Sequence, residues 1–202
     1  MDGVLLDTEP LYTEAYNRIM APFGAHLDPA TKLEIMGRRA IQSAAHVIAK
    51  FGLPITPEEF LKRREPILVE LFSDSPVVPG AVDFVRELKA QEIPLAVATS
   101  TGREVFEIKT RRHHWFSLFD AIVCGDDPEV QKPKPAPDIF LTAARRLGVP
   151  IEHCAIFEDS PAGVEAGCAS GGRTFALIRE ETDLRLYEAA HQIIGKFSEA
   201  EI

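Results

Sequence analysis

Four short segments combine residue types that could bind an anion and a metal ion. The chain begins Met1-Asp2-Gly3, and a hydroxyl-rich loop at 99–102 follows an apolar run. Lys134 lies among prolines before a helical pattern, and two adjacent acids, Glu158 and Asp159, close another apolar run. Hydroxyls and backbone N–H groups at the start of a helix can cradle an anion. Adjacent carboxylates are suitable ligands for Mg²⁺.

The elements that must position these segments alternate between strand and helix. Four apolar runs predict strands, at 93–99, 119–124, 154–157 and 174–178. Helical patterns precede and separate them, at 81–91, 103–113, 136–147 and 161–169. This alternation is typical of a parallel sheet covered on both faces, in which ligands bind at the carboxyl ends of the strands. We therefore predict an α/β fold with a doubly wound parallel (Rossmann-like) sheet.

The stretch from about residue 11 to residue 77 has a different character. It is rich in helix formers and has no convincing strand, and turn signals interrupt it at 23–24, 37, 52–54 and 73–76. These breaks predict three or four short helices that form a small bundle. The bundle is inserted into the α/β domain after its first loop.

Composition limits the classes of partner and compartment. Lys and Arg number 22 and Asp and Glu number 31, and the resulting net charge of −9 argues against nucleic acid as a partner. Three cysteines, Cys124, Cys154 and Cys168, follow no metal spacing and predict reduced thiols in a cytoplasmic protein. No apolar run approaches the roughly 20 residues that span a membrane. The sequence has no basic segment followed by an apolar one, the pattern of a secretory leader, so we do not expect secretion.

The order of the four segments resembles the haloacid dehalogenase-like phosphatase superfamily over nearly the whole chain. In that comparison the α/β core is 1–10 and 79–202, and residues 11–78 are similar to the family's helical cap. Within this superfamily the chain is most similar to pseudouridine-5'-phosphatases. The similarity lies in residues 125–131, in Lys-Pro at 134–135, in 138–141 and, within the cap, in 36–40. Sugar-phosphate phosphatases and β-phosphoglucomutases are close to that group.

The resemblance implies a role for each matching residue of the catalytic loops. Asp2 would be the general acid/base. Thr99 and the N–H group of Ser100 would hold the phosphoryl oxygens, with Thr101 beside them. Lys134 would neutralise charge between the nucleophile and the phosphate, which otherwise repel each other.

The resemblance also implies a metal site and substrate contacts. Glu158, Asp159 and the backbone carbonyl of Asp2 would hold Mg²⁺ as the cofactor. Arg38 and Arg39 in the cap would contact the substrate.

The same comparison implies a nucleophile outside the sequence. A first segment of this type reads Asp-x-Asp-Gly after an apolar strand, and here Met1 would be the x and Asp2 the second Asp. The attacking carboxylate would lie directly before Met1. We therefore expect the first strand to be largely missing, with a gap in the centre of the sheet. We also expect no useful turnover from the 202 residues alone.

Each segment also has an ordinary explanation. Asp2 could be a disordered acid and residues 99–102 a helix cap. Lys134 could be a solvated lysine, the acids at 158–159 could start a helix, and the two cap arginines could be surface charges. Their joint order favours function. The sequence thus predicts a Mg²⁺-dependent phosphatase, favoured as a monomer, that hydrolyses a small phosphorylated metabolite through an aspartyl-phosphate, with pseudouridine 5'-phosphate the first candidate. The alternatives are a phosphomutase of this fold and a catalytically dead domain that binds a phosphorylated ligand or a protein.

Overall fold

The computed structural model describes residues 1–35, 40–178 and 182–201, and it divides the chain into two compact units. An α/β unit comprises Met1–Asp7 and Pro76–Ile202, and a helical unit comprises Thr8–Ser75. The helical unit begins and ends three residues earlier than the predicted range of 11–78. No helix in the described part of the chain is long and apolar enough to cross a bilayer.

The helical unit contains four α-helices within its described residues. They are α1 (Glu9–Met20), α2 (Pro29–Ile35), α3 (Ala40–Phe51) and α4 (Pro57–Phe72). Thr56 begins α4 by accepting a hydrogen bond from the N–H group of Glu59, and Pro57 follows it at the first helical position. The core of the unit includes the rings of Tyr16 and Phe60, whose centroids lie 4.9 Å apart. An apolar core of its own explains why this segment folds as a separate unit.

The α/β unit alternates helices and parallel strands. Its strands are β1 (Ala96–Ala98), β2 (Ala121–Val123), β3 (Ala155–Glu158), β4 (Arg173–Leu177) and β5 (Gln192–Ile194). Its helices are α5 (Ala81–Ala90), α6 (Arg103–Thr110), α7 (Asp138–Leu147) and α8 (Pro161–Ser170). Strand β1 pairs with β2, and β4 pairs with both β3 and β5, all in parallel.

Apolar residues cover both faces of the strands. Val97 of β1 belongs to a core cluster that also contains Phe175, whereas its neighbours Ala96 and Ala98 pack against a different cluster around Ile156. Successive side chains of a strand point to opposite faces, so the two clusters lie on opposite sides. The predicted doubly wound α/β fold is confirmed.

Three details of the predicted elements were wrong. Helix α7 begins at Asp138 rather than at 136, because Pro137 disfavours helical backbone at the residue before it. Helix α6 ends at Thr110, three residues short of the predicted end. Strand β5 was not predicted, because three residues that include only two isoleucines give too short a pattern.

The strands form two groups with a gap between them. Among the described strands, β1 has only β2 as a partner, and β3 has only β4. An apolar cavity of about 400 Å³ is lined by Val97 of β1, by Ile156 and Phe157 of β3, and by Met1.

Candidate active site

The first loop of the chain is a tight turn that brings Asp159 against it. The N–H group of Gly3 donates to the carbonyl of Leu6 at 2.8 Å, and that of Leu5 donates to the carbonyl of Met1 at 2.7 Å. Gly3 has a φ of +65°, and a Cβ atom there would lie 1.9 Å from Oδ2 of Asp159. Both conditions require glycine at this position. The first loop and the carboxyl end of β3 are therefore in contact.

Asp2 is held by two side chains from the segment after β1. The hydroxyl of Thr101 donates to Oδ2 of Asp2 at 3.0 Å, and the ammonium of Lys109 lies 2.6 Å from Oδ1. About 31% of the Asp2 side chain is exposed. The carboxylate is thus fixed at both oxygens and remains accessible from one side.

The hydroxyl loop after β1 is not the cap of the helix that follows it. The first N–H group of α6, that of Arg103, donates to the carboxylate of Asp126 at 2.9 and 3.0 Å. Thr99 is buried, and its hydroxyl accepts the N–H group of Thr101 at 3.2 Å. Ser100 is exposed beside it. The capping role falls to Asp126, and the three hydroxyl residues form a separate turn next to Asp2.

Lys134 forms an ion pair with Glu158 in the interior. The lysine side chain is 12% exposed and the glutamate side chain 4%. The lysine ammonium also lies 4.9 Å from the ring centroid of Phe140. Burial alone would raise the pKa of Glu158, but the charge and hydrogen bond of Lys134 hold that pKa below its usual value. Lys132, two residues earlier, is exposed.

Glu158 and Asp159, at the carboxyl end of β3, precede helix α8, but the residue that caps this helix is Ser160. Ser160 accepts the N–H group of Gly163 at 3.1 Å and so begins α8. Its hydroxyl donates to Oε2 of Glu158 at 3.1 Å, and a Cβ atom at Gly163 would lie 1.9 Å from that oxygen. The phenol of Tyr187 donates to the carbonyl of Asp159 at 2.9 Å. The start of a helix therefore does not explain Glu158, which is buried, or Asp159, which is half-buried.

The carboxyl end of β3 concentrates negative charge. Burial and the adjacent charge of Glu158 raise the pKa of Asp159 to about 6. The buried amino group of Met1 lies in the same field: burial lowers its pKa, and the charges of Glu158 and Asp2 oppose that change. A residue joined to that amino group would therefore reach this cluster.

The donor set fits a magnesium ion. Mg²⁺ in proteins usually takes one or two carboxylates and completes its shell with water and substrate phosphate. Glu158 and Asp159 supply two carboxylates; the oxygens of Glu158 also contact Lys134 and Ser160, as those of Asp2 contact Lys109 and Thr101. Within the described ranges, no group of three or more His, Cys, Asp and Glu side chains is arranged for a metal ion.

The structure brings most of the predicted site residues to one end of the sheet. This set is Asp2, Thr99, Ser100, Thr101, Lys134, Glu158 and Asp159. Arg38 and Arg39 lie outside the described residues. The sequence analysis missed Lys109. The signal that could have identified it is a lysine three residues after Phe106 on the buried face of α6.

Comparisons with known proteins show the family of this chain. The family model of the haloacid dehalogenase-like hydrolases matches residues 1–171. (DL)-Glycerol-3-phosphatase 2 of Arabidopsis thaliana is 40% identical over 200 residues, which cover 96% of this chain and 83% of that protein. The probable pseudouridine-5'-phosphatase of Drosophila melanogaster is 42% identical over 175 residues, covering 85% and 76%.

A solved structure extends the similarity to three dimensions. It is a family IA, variant 3 hydrolase from Entamoeba histolytica, with a TM-score of 0.80 and 25% identity over 100% of this chain and 93% of that one. The chain belongs to the haloacid dehalogenase-like hydrolase family, and its relatives place it among that family's phosphoric monoester hydrolases.

Proposed function

We propose that this protein is a Mg²⁺-dependent phosphatase of small phosphorylated metabolites, with pseudouridine 5'-phosphate as the first candidate substrate. The observation that carries the proposal is the cluster of Lys134, Glu158 and Asp159 at the carboxyl end of β3, joined to Asp2 through the first loop. A lysine and a metal would offset the repulsion between an attacking carboxylate and a phosphate dianion. The cluster supplies the lysine and the ligands for the metal.

The chemistry requires an attacking carboxylate one residue before Met1. We use the name extended chain for the protein with an apolar strand of about five residues that ends in Asp, joined directly to Met1. An oxygen of that Asp attacks phosphorus, and the bond from phosphorus to the substrate oxygen breaks. Asp2, in its acid form, gives its proton to the leaving oxygen. An acyl phosphate and a free alcohol result.

In the hydrolysis of the acyl phosphate, Asp2 accepts a proton instead of donating one. Water attacks phosphorus while the Asp2 carboxylate takes a proton from it, and the bond between phosphorus and the attacking Asp breaks. The products are inorganic phosphate, the free nucleophile and Asp2 in its acid form again. Thr99 and the N–H group of Ser100 would hold the phosphoryl oxygens in both steps. When bound by Glu158, Asp159 and the Asp2 carbonyl, Mg²⁺ would supply positive charge to the phosphoryl group.

The helical unit is the proposed source of substrate selection. The chain enters the helical unit after Asp7 and leaves it before Pro76. These two points lie side by side, since the N–H group of Asp7 donates to the carbonyl of Pro76 at 2.7 Å. Two adjacent crossings form a hinge about which such a unit can move as a body. A protein of net charge −9 also needs local cations to receive an anion, and Arg38 and Arg39 are candidates.

The arginines can be tested in the extended chain. We expect replacement of Arg38 and Arg39 by Ala to raise KM or to change the order of preferred substrates, because these charges would contact the variable part of the substrate. Thr99→Ala should instead impair turnover of every substrate. Unchanged KM values and ranking in the double variant would identify the arginines as surface charges.

The proposal extends to compartment and assembly. We propose a cytoplasmic monomer. The support is that Cys124, Cys154 and Cys168 all lie in the structure as free thiols. Thiols remain reduced in the cytosol.

A phosphate-release screen of the extended chain tests the function. The panel contains pseudouridine 5'-phosphate, glycerol 3-phosphate, hexose phosphates and FMN, each with Mg²⁺ and with EDTA. We expect release that requires Mg²⁺, that Asp159→Ala abolishes, and that Asn in place of the added Asp also abolishes. The 202-residue chain should release phosphate far more slowly. No release from any substrate by a folded extended chain would overturn the proposal, and full activity of Asp159→Ala would place the metal elsewhere.

A further inference from the structure

We infer that Lys109 is a positioning residue that fixes the Asp2 carboxylate for proton transfer; this inference rests on the proposed function. Lys109 lies on α6 and is only 2% exposed. Its ammonium lies 2.6 Å from Oδ1 of Asp2, while the hydroxyl of Thr101 donates to Oδ2 at 3.0 Å. Each carboxylate oxygen therefore has its own contact with the segment after β1.

The buried lysine is poorly explained by stability. Phe106, the other buried residue of α6, belongs to an apolar core cluster. Removing an ammonium from water is costly, and a well-packed apolar side chain often stabilises such a position as well or better. A lysine here gains its value from what the charge contacts, and one of those contacts is Asp2, an acid that remains partly open to solvent.

The contact restricts the two side-chain torsions of Asp2. The acid stands next to Gly3 in a loop, and a carboxylate held by one hydrogen bond could still rotate about it. A second contact at the other oxygen fixes the plane of the group. Proton transfer depends on such placement, because sites lose rate when a reacting group is displaced by about 1 Å.

The test separates the two chemical steps with 4-nitrophenyl phosphate and the extended chain. Its leaving group departs without an acid, so phosphorylation of the enzyme does not need Asp2 in place. Hydrolysis of the acyl phosphate still needs it. In Lys109→Met we expect a burst of 4-nitrophenolate that is stoichiometric with enzyme, followed by a steady-state kcat about 100-fold lower. Acid quenching should trap the phosphorylated enzyme. We expect Lys109→Arg to recover part of kcat.

A surface pair provides the matched control. Lys89 and Asp120 lie at the same distance, 2.6 Å, but both are substantially exposed. We expect Lys89→Met to leave burst and turnover unchanged. Because the burst counts competent sites, kcat divided by its amplitude does not depend on the folded fraction.

The outcomes distinguish this inference from the proposed function. If the unaltered extended chain releases no phosphate from 4-nitrophenyl phosphate, the proposed function fails. If it turns over and Lys109→Met has the same kcat per burst site, the positioning role is overturned. A loss of burst amplitude in proportion to turnover would also overturn it, because that pattern is what misfolding produces.

Discussion

Two lysines of the α/β unit each contact a carboxylate of the site, and the two pairs differ in which partner faces outwards. In the pair of Lys134 and Glu158, the lysine is 12% exposed and the acid 4%. In the pair of Lys109 and Asp2, the lysine is 2% exposed and the acid 31%. The more accessible partner is the cation in the first pair and the acid in the second.

This difference indicates a division of labour. A ligand can interact with the partner that it can reach, so Lys134 is placed to meet an anion and Asp2 to exchange a proton. Of the enclosed partners, Lys109 holds Asp2 in position, and Glu158 holds Lys134 and is also a proposed ligand of Mg²⁺. In both pairs the enclosed charge is stable because its partner lies within contact distance.

The largest effect should come from removing the accessible cation. In the extended chain we expect Lys134→Ala to lower kcat. The activation free energy should rise by about 3 kcal/mol or more, which is the effect of losing one hydrogen-bond donor to a developing negative charge. Lys132→Ala is the control, because that lysine is exposed and its side chain lies outside the cluster. The measurement is kcat with Mg²⁺ for both variants, with urea unfolding to verify that each is folded. Equal losses in the two variants would show that Lys134 is not the lysine of the site.

In the 202-residue chain, we expect a smaller effect from replacing either partner of the second pair, and the two replacements should differ in how much stability they cost. Asp2→Asn deprives a buried ammonium of this carboxylate, and we expect a loss of about 3 kcal/mol, the lower end for a broken buried pair, because Asp2 is partly exposed. Lys109→Met should cost less, because water can solvate the carboxylate that remains. Urea unfolding of both variants and of the double variant measures the coupling.

The double variant provides the sharper test. It should be more stable than Asp2→Asn alone, because the buried charge is gone. If the two losses simply add, the pair makes no contribution through its contact, and the comparison between the two lysines loses its basis.

The two pairs also differ in how far the sequence predicted them. Lys134 lies in a local motif, Lys-Pro-x-Pro-Asp, so its position can be recognised from its neighbours. Lys109 meets an acid 107 positions away, and no local pattern records that contact. Only the fold, which brings α6 beside the first loop, establishes it.

The same limit applies to the fold. The apolar runs that became β1 to β4 are strong local signals, and the alternation with helices predicted the doubly wound sheet. Strand β5 has three residues and depends on pairing with β4 for its conformation. The sequence pattern included Gly3 in the first loop but did not reveal its close approach to Asp159, which is distant in sequence. The close approach of Gly163 to Glu158, across a turn, was not predicted either.

The smallest effect should come from a methyl group added next to Glu158, which contacts the pair of Lys134 and Glu158 and not the pair of Lys109 and Asp2. In the 202-residue chain, Gly163→Ala places a Cβ atom 1.9 Å from Oε2 of Glu158, which Lys134 and Ser160 hold in place. Alanine normally stabilises a helix relative to glycine by up to about 1 kcal/mol. Here the buried carboxylate must move, so we expect the sign to reverse, with a loss of about 1 to 2 kcal/mol from overpacking.

Gly195→Ala is the control for this substitution. A Cβ atom there would meet Glu199 at 3.6 Å, an ordinary contact, so that variant should be neutral or slightly more stable. If the two pairs are independent, the loss in Gly163→Ala should also add to that of Lys109→Met, because the methyl group acts on Glu158 and not on Asp2. Urea unfolding of the three single variants and of the Gly163→Ala, Lys109→Met pair provides the comparison. A Gly163→Ala variant as stable as the unaltered chain would mean that Glu158 is free to shift, and therefore that Lys134 and Ser160 do not hold it in place.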